Sequence, residues 1–180
     1  MGCSRATAVI ALAVVGSVSV RATARAETPY ARAEVLAEVI ERFTRFVDWP
    51  VAALPPNATF VVCAIGASEV EAPLKKIVKE SGIKQHPGVV RATVDGKGCH
   101  LLYVGASELA RARELLARLH GAPVLTVALS DGAVSTPAVV NLFFEQRRPR
   151  FTIDAATAKR SGLDVRSRLL RLAKGSGGRP

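Results

Sequence analysis

The chain has 180 residues, of which 49% are hydrophobic and 22% are charged. This composition excludes a disordered or low-complexity protein, and the length suits one domain with a single hydrophobic core. Lysine and arginine number 25 against 15 aspartates and glutamates, so the formal net charge is +10. Three cysteines are too few for a disulfide-dense mini-protein or for a zinc site with four thiolates.

The first 26 residues have the layout of a secretory signal peptide. Arg5 gives a basic start, residues 6–20 form an uncharged and mostly apolar run, and small residues then lead to Ala24-Arg25-Ala26. We therefore expect export and cleavage after Ala26. The alternative is a membrane anchor, although a helical run of this length spans only about 22 Å of a hydrocarbon core about 30 Å thick.

Cleavage would leave two cysteines, Cys63 and Cys99, because Cys3 leaves with the signal peptide. Oxidising compartments preserve disulfides, so an even number of cysteines in an exported chain favours a bond between them. Such a bond would stabilise the fold by roughly 3–4 kcal/mol in the chain-entropy model. Two buried free thiols are the alternative.

Helices and strands alternate along the first half of the remaining chain. Thr28-Pro29 suits a helix start, and apolar residues at spacings of three and four predict a helix that ends near Asp48, before Trp49-Pro50. A continuous apolar run predicts a buried strand over Phe60–Ile65. The pair Ser68 and Glu71 matches a capping box and predicts a helix to about Glu80. Further strands are predicted over residues 89–94 and 100–104.

The second half continues the alternation and ends in shorter elements. Residues 105–108 precede a predicted helix to His120, and residues 124–129 form a predicted strand. A hairpin is predicted from residues 139–145 and 151–153, with its turn over 146–149. Asp154 and Asp164 are each predicted to cap a short helix, the first ending at Gly162. From Lys174 onward we expect a frayed tail.

This order of elements predicts an α/β fold. We expect a mostly parallel central sheet flanked by helices, a Rossmann or flavodoxin-like sandwich, with a C-terminal hairpin and short helices. Gly66-Ala67-Ser68-Glu69 and Gly105-Ala106-Ser107-Glu108 repeat one strand-to-helix corner. Both corners would lie at the carboxyl edge of the sheet, so Ser68 and Ser107 are candidate ligand-binding residues for an anion. Alternatively, the repeated sequence is only an efficient helix start.

The residues give no positive sign of catalysis. His86, His100 and His120 are scattered and lack metal-ligand spacing, and no nucleophile elbow or Cys-x-x-Cys motif is present. We therefore predict no enzymatic activity, no metal site and no cofactor.

Positive charge is concentrated at the C-terminal end. Residues 147–180 hold ten basic side chains against Asp154 and Asp164, a surplus of +8. Such a segment suggests an acidic partner. Nucleic acid is not expected as that partner, because we expect the chain to be exported and no aromatic residues interleave these bases as stacking platforms. A solvated basic surface is the alternative.

Several segments, taken in order, resemble one family. They are Phe43-Thr44-Arg45-Phe46-Val47-Asp48-Trp49-Pro50, Cys99-His100-Leu101-Leu102-Tyr103-Val104, Pro123-Val124-Leu125-Thr126-Val127, Val140-Asn141-Leu142-Phe143-Phe144-Glu145, Arg150-Phe151-Thr152-Ile153-Asp154, Gly162-Leu163 and Ser167-Arg168-Leu169-Leu170-Arg171-Leu172-Ala173. Together they resemble the YfiR-like periplasmic proteins across nearly all of the exported chain.

The resemblance implies one non-enzymatic YfiR-like α/β domain over residues 27–174, followed by a flexible tail over 175–180. Relatives act in the periplasm, where they bind the periplasmic part of an inner-membrane diguanylate cyclase and hold it inactive, which controls cyclic-di-GMP and biofilm growth. The resemblance also implies a homodimer, a possible outer-membrane lipoprotein as a second partner, and a disulfide between the cysteines matching Cys63 and Cys99.

This sequence departs from the family pattern in two ways. It lacks a second, C-terminal cysteine pair, and Ser135-Thr136-Pro137 stands where many members have a Gly-Gly turn. From the charge concentration we hypothesise a partner-binding face that includes Arg147, Arg150, Phe151, Arg168 and Leu169. Two other functions stay open: a periplasmic small-ligand sensor, and an interaction subunit for a histidine kinase, a transporter or an outer-membrane receptor.

Overall fold

The computed structural model describes residues 29–66, 68–132 and 135–175. The predicted signal peptide and its cleavage site lie outside the described residues, as does the chain beyond Gly175. Both therefore stay predictions.

Five helices and eight strands follow one another in the described chain. The helices are α1 (Pro29–Thr44), α2 (Ser68–Ser81), α3 (Leu109–Arg118), α4 (Ala155–Arg160) and α5 (Ser167–Leu172). The strands are β1 (Val47–Asp48), β2 (Phe60–Ile65), β3 (Gly88–Ala92), β4 (Leu101–Val104), β5 (Leu125–Leu129), β6 (Val140–Glu145), β7 (Arg148–Ile153) and β8 (Asp164–Val165).

Six of the strands form one sheet in the order β3-β2-β4-β5-β6-β7. All neighbours pair in parallel except β6 and β7, which form the antiparallel hairpin. β1 and β8 pair separately as a small antiparallel ladder. The predicted α/β class and the mostly parallel sheet are confirmed.

Helices cover the sheet on both faces. Alternate residues of its buried strands point to opposite faces, and both sets of apolar side chains need to be covered. Leu36 of α1 and Leu74 of α2 pack with Phe60 and Tyr103 on one face. On the other face, α3 packs against a second apolar cluster that includes Leu102. The sheet is therefore the middle layer between two separate parts of the core.

The first helix ends earlier than predicted, at Thr44 rather than near Asp48. Phe46 and Val47 continue the apolar spacing of the helix, but Val47 pairs with Val165 across the β1–β8 ladder. A long-range backbone pairing thus replaces the last turn of the predicted helix. Phe46 and Val47 still pack in or against the core, which explains why their apolar character resembled a helical face.

The predicted cap at Asp164 is wrong. Asp164 lies in β8, and α5 begins at Ser167 with Arg166 in the capping position and no side-chain cap. The prediction for Asp154 is confirmed, because its Oδ1 accepts a hydrogen bond from the Thr157 N–H at 2.8 Å. The two aspartates have similar sequence contexts. Their structures differ because Asp164 pairs with the distant strand β1, whereas Asp154 caps a helix.

The hairpin turn is shorter than predicted. Gln146 and Arg147 alone form it, both with left-handed backbone angles (φ 48° and 64°), as a two-residue turn between twisted strands requires. Arg148, Pro149 and Arg150 therefore belong to β7 and not to the turn. Lys174 is not frayed either, because its N–H donates to the Phe151 carbonyl at 2.8 Å.

Candidate partner-binding surface

The two repeated corners lie side by side at the carboxyl edge of the sheet. The Gly105 N–H donates to the Ile65 carbonyl at 2.9 Å, which joins the ends of β2 and β4. The corners differ, however: Gly66 has a left-handed φ of 58°, whereas Gly105 has φ −68° and leads into a 3₁₀ turn over Ala106–Glu108. Their adjacency is as predicted, but their geometry is not repeated.

An acidic side chain covers the first corner. A Cβ built on Gly66 would lie 2.0 Å from the Glu108 Cγ, so Glu108 occupies the space above this glycine. Ser107 is exposed inside the 3₁₀ turn, and the side chain of Ser68 lies outside the described part. A carboxylate at this position disfavours an anion nearby. The ligand-binding role of Ser68 and Ser107 stays a prediction.

One buried polar atom near these corners was not foreseen. The Tyr103 hydroxyl, near the end of β4, is buried and has no hydrogen-bond partner among the residues that the structure describes. Burial, followed by the charge of Glu69, raises the pKa of this hydroxyl above its ordinary value. Sequence offered only a weak signal for it, a tyrosine within an otherwise aliphatic strand.

The three histidines each hold backbone groups. His100 accepts a hydrogen bond from the Val61 N–H at its Nδ1 (2.9 Å), and its Nε2 lies 3.1 Å from the Ala53 carbonyl oxygen. His86 and His120 lie 2.9 and 2.8 Å from other backbone carbonyl oxygens. Within the described residues, no group of histidine, cysteine, aspartate and glutamate side chains could hold a metal ion.

The Trp-Pro and Cys-His segments meet in one aromatic cluster. The Trp49 indole N–H donates to the His100 carbonyl at 3.1 Å, and the ring of Trp49 packs edge-on against Phe60 at 5.0 Å. Phe60 also contacts the His100 ring at 5.0 Å. These motif residues therefore position the loop after β1 against the sheet, and their role is structural.

A disulfide joins Cys63 of β2 to Cys99. The two Cα atoms are 5.8 Å apart, and both side chains are buried in the cluster beneath α3. The bond fixes the segment that leads into β4 against the neighbouring strand. This is the pairing that the cysteine count favoured.

The basic C-terminal segment is attached to the N-terminal part of the chain by an ionic cluster. Arg166 donates two hydrogen bonds to the Asp48 carboxylate, Nε to Oδ2 at 2.9 Å and Nη2 to Oδ1 at 3.1 Å. Lys84 binds the same carboxylate and also donates to the Val47 carbonyl. Arg166 and then Lys84 lower the pKa of Asp48 to about 2. This cluster fixes the entry to α5 beside β1.

A second ionic contact connects the hairpin to the end of α5. Lys174 Nζ lies 2.5 Å from Glu145 Oε1, and Arg150 Nε lies 3.8 Å from Glu145 Oε2. Lys174 lowers the pKa of Glu145 below its ordinary value. The Phe151 ring packs edge-on against Phe43 of α1 at 5.0 Å. The hairpin therefore contacts both α1 and the segment that follows α5.

The predicted surface residues divide into three groups. Arg147 and Arg168 are exposed, and no acidic side chain among the described residues pairs with either. Arg150 is exposed but pairs with Glu145, and Phe151 is only partly exposed. Leu169 is 3% exposed and belongs to the core, so its placement on the partner face was wrong.

Several residues of this surface were missed from sequence. Leu172 is 64% exposed at the end of α5 and offers an apolar contact that Leu169 does not. Arg32 of α1 lies over the Phe144 ring at 4.3 Å, which adds a base from a distant segment. The apolar spacing of α5 could have separated Leu169 from Leu172, whereas nothing in the sequence connects Arg32 with the hairpin.

A shallow cavity of about 400 Å³ lies between α4, β8 and α5. Mostly apolar residues line it, with Lys159 and Asp164 as its charged members: Ala155, Ala158, Lys159, Gly162, Leu163, Asp164, Val165 and Leu170. An apolar depression on a basic surface can accept one apolar side chain of an acidic partner. The basic C-terminal surface, defined as β7, α4, β8 and α5 with the hairpin turn, is therefore a candidate docking surface.

The family profile described as DUF4154, YfiR/HmsC-like, matches residues 33–174. This chain belongs to the YfiR/HmsC-like family. No curated protein matches it. The resemblance inferred from the sequence segments is thus confirmed over residues 33–174, from within α1 to just beyond α5.

The YfiR/HmsC-like family is a regulatory, non-catalytic family whose members act in the periplasm on signalling through membrane-bound partners. Among the described residues of this member, no helix is both long enough and apolar enough to span a bilayer. Its aromatic and histidine motifs make structural contacts within the fold. The exposed surface is therefore the candidate for the regulatory contact.

Proposed function

We propose that this YfiR/HmsC-like protein binds the periplasmic part of an inner-membrane diguanylate cyclase and holds the cyclase inactive. Its release would raise cyclic-di-GMP and favour biofilm growth. The observation that carries the proposal is the family match over residues 33–174. A surface on which Arg147, Arg148 and Arg168 form no ion pair within the described residues supports it. The protein works by docking and needs no reacting group.

The basic C-terminal surface is the proposed contact. Arg147, Arg148 and Arg168 are exposed and form no ion pair within the described residues. Leu172 and the cavity beside α5 supply the apolar contacts that a stable complex needs near its centre. Opposite charges on the two surfaces would speed association, and most of the binding energy would come from the desolvated apolar centre.

The test exchanges charge on this surface without disturbing the fold. Replacing Arg147, Arg148 and Arg168 by glutamate breaks no ion pair, because these side chains have none in the described part of the chain. A triple variant with Lys76→Glu, Lys79→Glu and Arg113→Glu makes the same change of charge on α2 and α3, away from the proposed contact. Arg150 is left unchanged because it pairs with Glu145.

We expect the first triple variant to lose binding to the purified periplasmic domain of the cyclase in calorimetry. In cells that lack the native gene, it should fail to lower cyclic-di-GMP, whereas the α2–α3 variant should still lower it. Circular dichroism and thermal unfolding show whether each variant is folded. A folded Arg147/Arg148/Arg168 variant that still represses the cyclase would refute the proposed surface.

The outer-membrane lipoprotein remains a proposed second partner. It would sequester the protein away from the cyclase, so the two partners should compete. Adding the lipoprotein to a preformed complex should release the cyclase domain, as measured by size-exclusion chromatography. Formation of a stable complex of all three proteins would contradict simple sequestration.

A further inference from the structure

The carboxyl edge of the sheet contains a topological switch point between β2 and β4. β3 lies beside β2 on one side and β4 lies on the other, so the connections that leave β2 and β4 turn in opposite directions. Open α/β sheets bind ligands in the crevice beyond the carboxyl ends of the strands at such a point. The topology therefore directs attention to the polar groups at the ends of β2 and β4.

The two faces of the sheet present different groups at this edge. On the α3 face, Glu108 lines a groove together with residues of α3, covers Gly66 and pairs with Arg111 at 3.6 Å. Ala64 and Tyr103, which are partners across β2 and β4, belong instead to the apolar cluster beneath α1 and α2. The sheet thus separates Tyr103 from Glu108, the carboxylate that disfavours an anion at the first corner.

The Tyr103 hydroxyl is the unusual group on the α1–α2 face. The residue is 0% exposed. Among the described residues, its hydroxyl is the only buried side-chain nitrogen or oxygen atom without a hydrogen-bond partner. An unpaired buried donor destabilises a folded protein, so such a group needs a partner that the chain itself does not supply.

Two charged side chains lie close enough to act on this hydroxyl, Glu69 in the first turn of α2 and Arg32 of α1. Burial raises the pKa of Tyr103 and Glu69 raises it further, whereas Arg32 lowers it. The hydroxyl therefore stays protonated and can donate. Arg32 is exposed, lies over the Phe144 ring and pairs with no acidic side chain of the described residues, so its guanidinium is available to a ligand.

The start of α2 adds backbone donors on the same face. The first N–H groups of a helix have no partner within it, and the helix dipole places partial positive charge there. α2 has 14 residues and begins at Ser68, shortly after the end of β2. Val70, in its first turn, packs in the same apolar cluster as Tyr103. A hydroxyl, a guanidinium and helix N–H groups are together the donors that recognise the oxygen atoms of an anion.

We propose that the carboxyl edge between β2 and β4 binds a small oxyanion on its α1–α2 face, with the Tyr103 hydroxyl, the N-terminus of α2 and Arg32 as donors. The oxygen atoms of a phosphate or carboxylate group would accept hydrogen bonds from these donors. Binding would turn Arg32 from the Phe144 ring toward the ligand and open the way to the hydroxyl. Glu69 repels the anion and keeps its affinity moderate.

Inorganic phosphate and acetate are the probes, with chloride at the same ionic strength as the reference. Thermal unfolding and calorimetry of the wild type should show stabilisation and binding beyond the chloride reference. A response to phosphate alone assigns a phosphoryl ligand, and a response to acetate alone assigns a carboxylate ligand. A response to both shows that the site recognises the oxygen atoms that the two anions share. Absence of any response to either anion overturns the proposal.

Three variants separate this site from general attraction of anions to a basic protein. Tyr103→Phe removes only the hydroxyl and should weaken binding about tenfold, with no loss of stability in chloride because the unpaired donor disappears. Arg32→Gln should also weaken binding about tenfold. Glu69→Gln should tighten it about threefold, because a repelling charge is removed. Arg113→Gln replaces an exposed arginine of α3 that forms no ion pair within the described residues, and this matched control should leave the affinity unchanged.

The variants also supply the results that would contradict the site. An affinity that is the same in the wild type, Tyr103→Phe and Arg32→Gln overturns the proposal, as does an equal loss in Arg113→Gln. A Tyr103→Phe variant that is less stable in chloride would show that the hydroxyl already has a partner, and would overturn it too. Tyr103 and Glu69 do not belong to the basic C-terminal surface, so their variants test the anion site separately from the proposed cyclase contact.

Discussion

The two sides of the sheet are held in place by different forces. On the β3 side, the disulfide between Cys63 and Cys99 is buried beneath α3. On the β7 side, the carboxylates of Asp48 and Glu145, both partly exposed, add ionic contacts to the backbone pairing of β7 with β6 and to the burial of Leu169. The first kind of bond does not respond to salt, whereas exposed ion pairs are screened by it.

This difference separates a rigid side from an adjustable one. A covalent bond and close packing fix β2 and the segment that leads into β4 in one geometry. The basic C-terminal surface rests partly on exposed charge pairs, each contributing little, so an acidic partner can compete for the same arginines and lysines. Regulation by docking and release fits the second side better than the first.

The largest expected effect comes from the buried side chain of α5. Leu169→Ala should destabilise the protein by about 3 kcal/mol, because it leaves a cavity in the core, whereas Leu172→Ala should change stability by less than about 0.5 kcal/mol. Urea unfolding measures both variants. Leu172→Ala should instead weaken binding of the cyclase domain. Equal destabilisation by the two variants would contradict the assignment of Leu169 to the core.

Next in size is the covalent link on the β3 side. The double variant Cys63→Ala/Cys99→Ala should lose roughly 3 kcal/mol of stability, since the unfolded chain is no longer restrained by a closed loop. The loss should be the same at low and high salt. Urea unfolding at two ionic strengths measures the loss of stability. If this loss disappeared in high salt, the proposed difference between a salt-independent β3 side and a salt-dependent β7 side would be wrong.

The smallest expected effect is on the β7 side and depends on pH. The pKa of Asp48 is lowered to about 2 in the folded protein, mainly by Arg166 and also by Lys84. A carboxylate with a depressed folded pKa stabilises the protein above its unfolded pKa of about 3.9, and that contribution is lost as the pH falls toward 2. Because Asp48 is partly exposed, we expect a contribution of at most about 1 kcal/mol.

Asp48→Asn isolates this contribution. The variant should be less stable than the wild type at pH 6, and the difference should shrink as the pH is lowered to 2 or as salt is raised. Chemical unfolding across this range measures the effect, with Asp131→Asn, an exposed carboxylate in the turn after β5, as a matched control. A stability difference that grows at low pH would have the wrong sign for this ion pair.

Local sequence patterns identified the elements whose structure depends on near neighbours. The bounds of β2 match the continuous apolar run, and the Asp154 cap follows from the three-residue spacing to Thr157. β1 and β8 were missed because each has only two residues and exists through pairing with the other. Spacing alone could not show that Val47 leaves the helix or that Asp164 lies in a strand.

The candidate surface could be predicted only in part, for a similar reason. The count of bases identified the C-terminal segment, and Arg147 and Arg168 are indeed exposed there. Charge does not indicate which side of a short helix is buried, so Leu169 was misplaced. Arg32 of α1 and Asp48 of β1 also contribute to the surface. No pattern near the C-terminus points to residues so distant in the chain.

The β1–β8 ladder has a consequence for how the protein matures. Asp48, in β1, and Arg166, directly after β8, are 118 positions apart, so this contact can form only once almost the entire polypeptide is present. Topologies with such distant contacts assemble slowly. If the chain crossed a membrane through a pore with its N-terminus first, the β1–β8 ladder could not be completed until the segment around α5 had emerged.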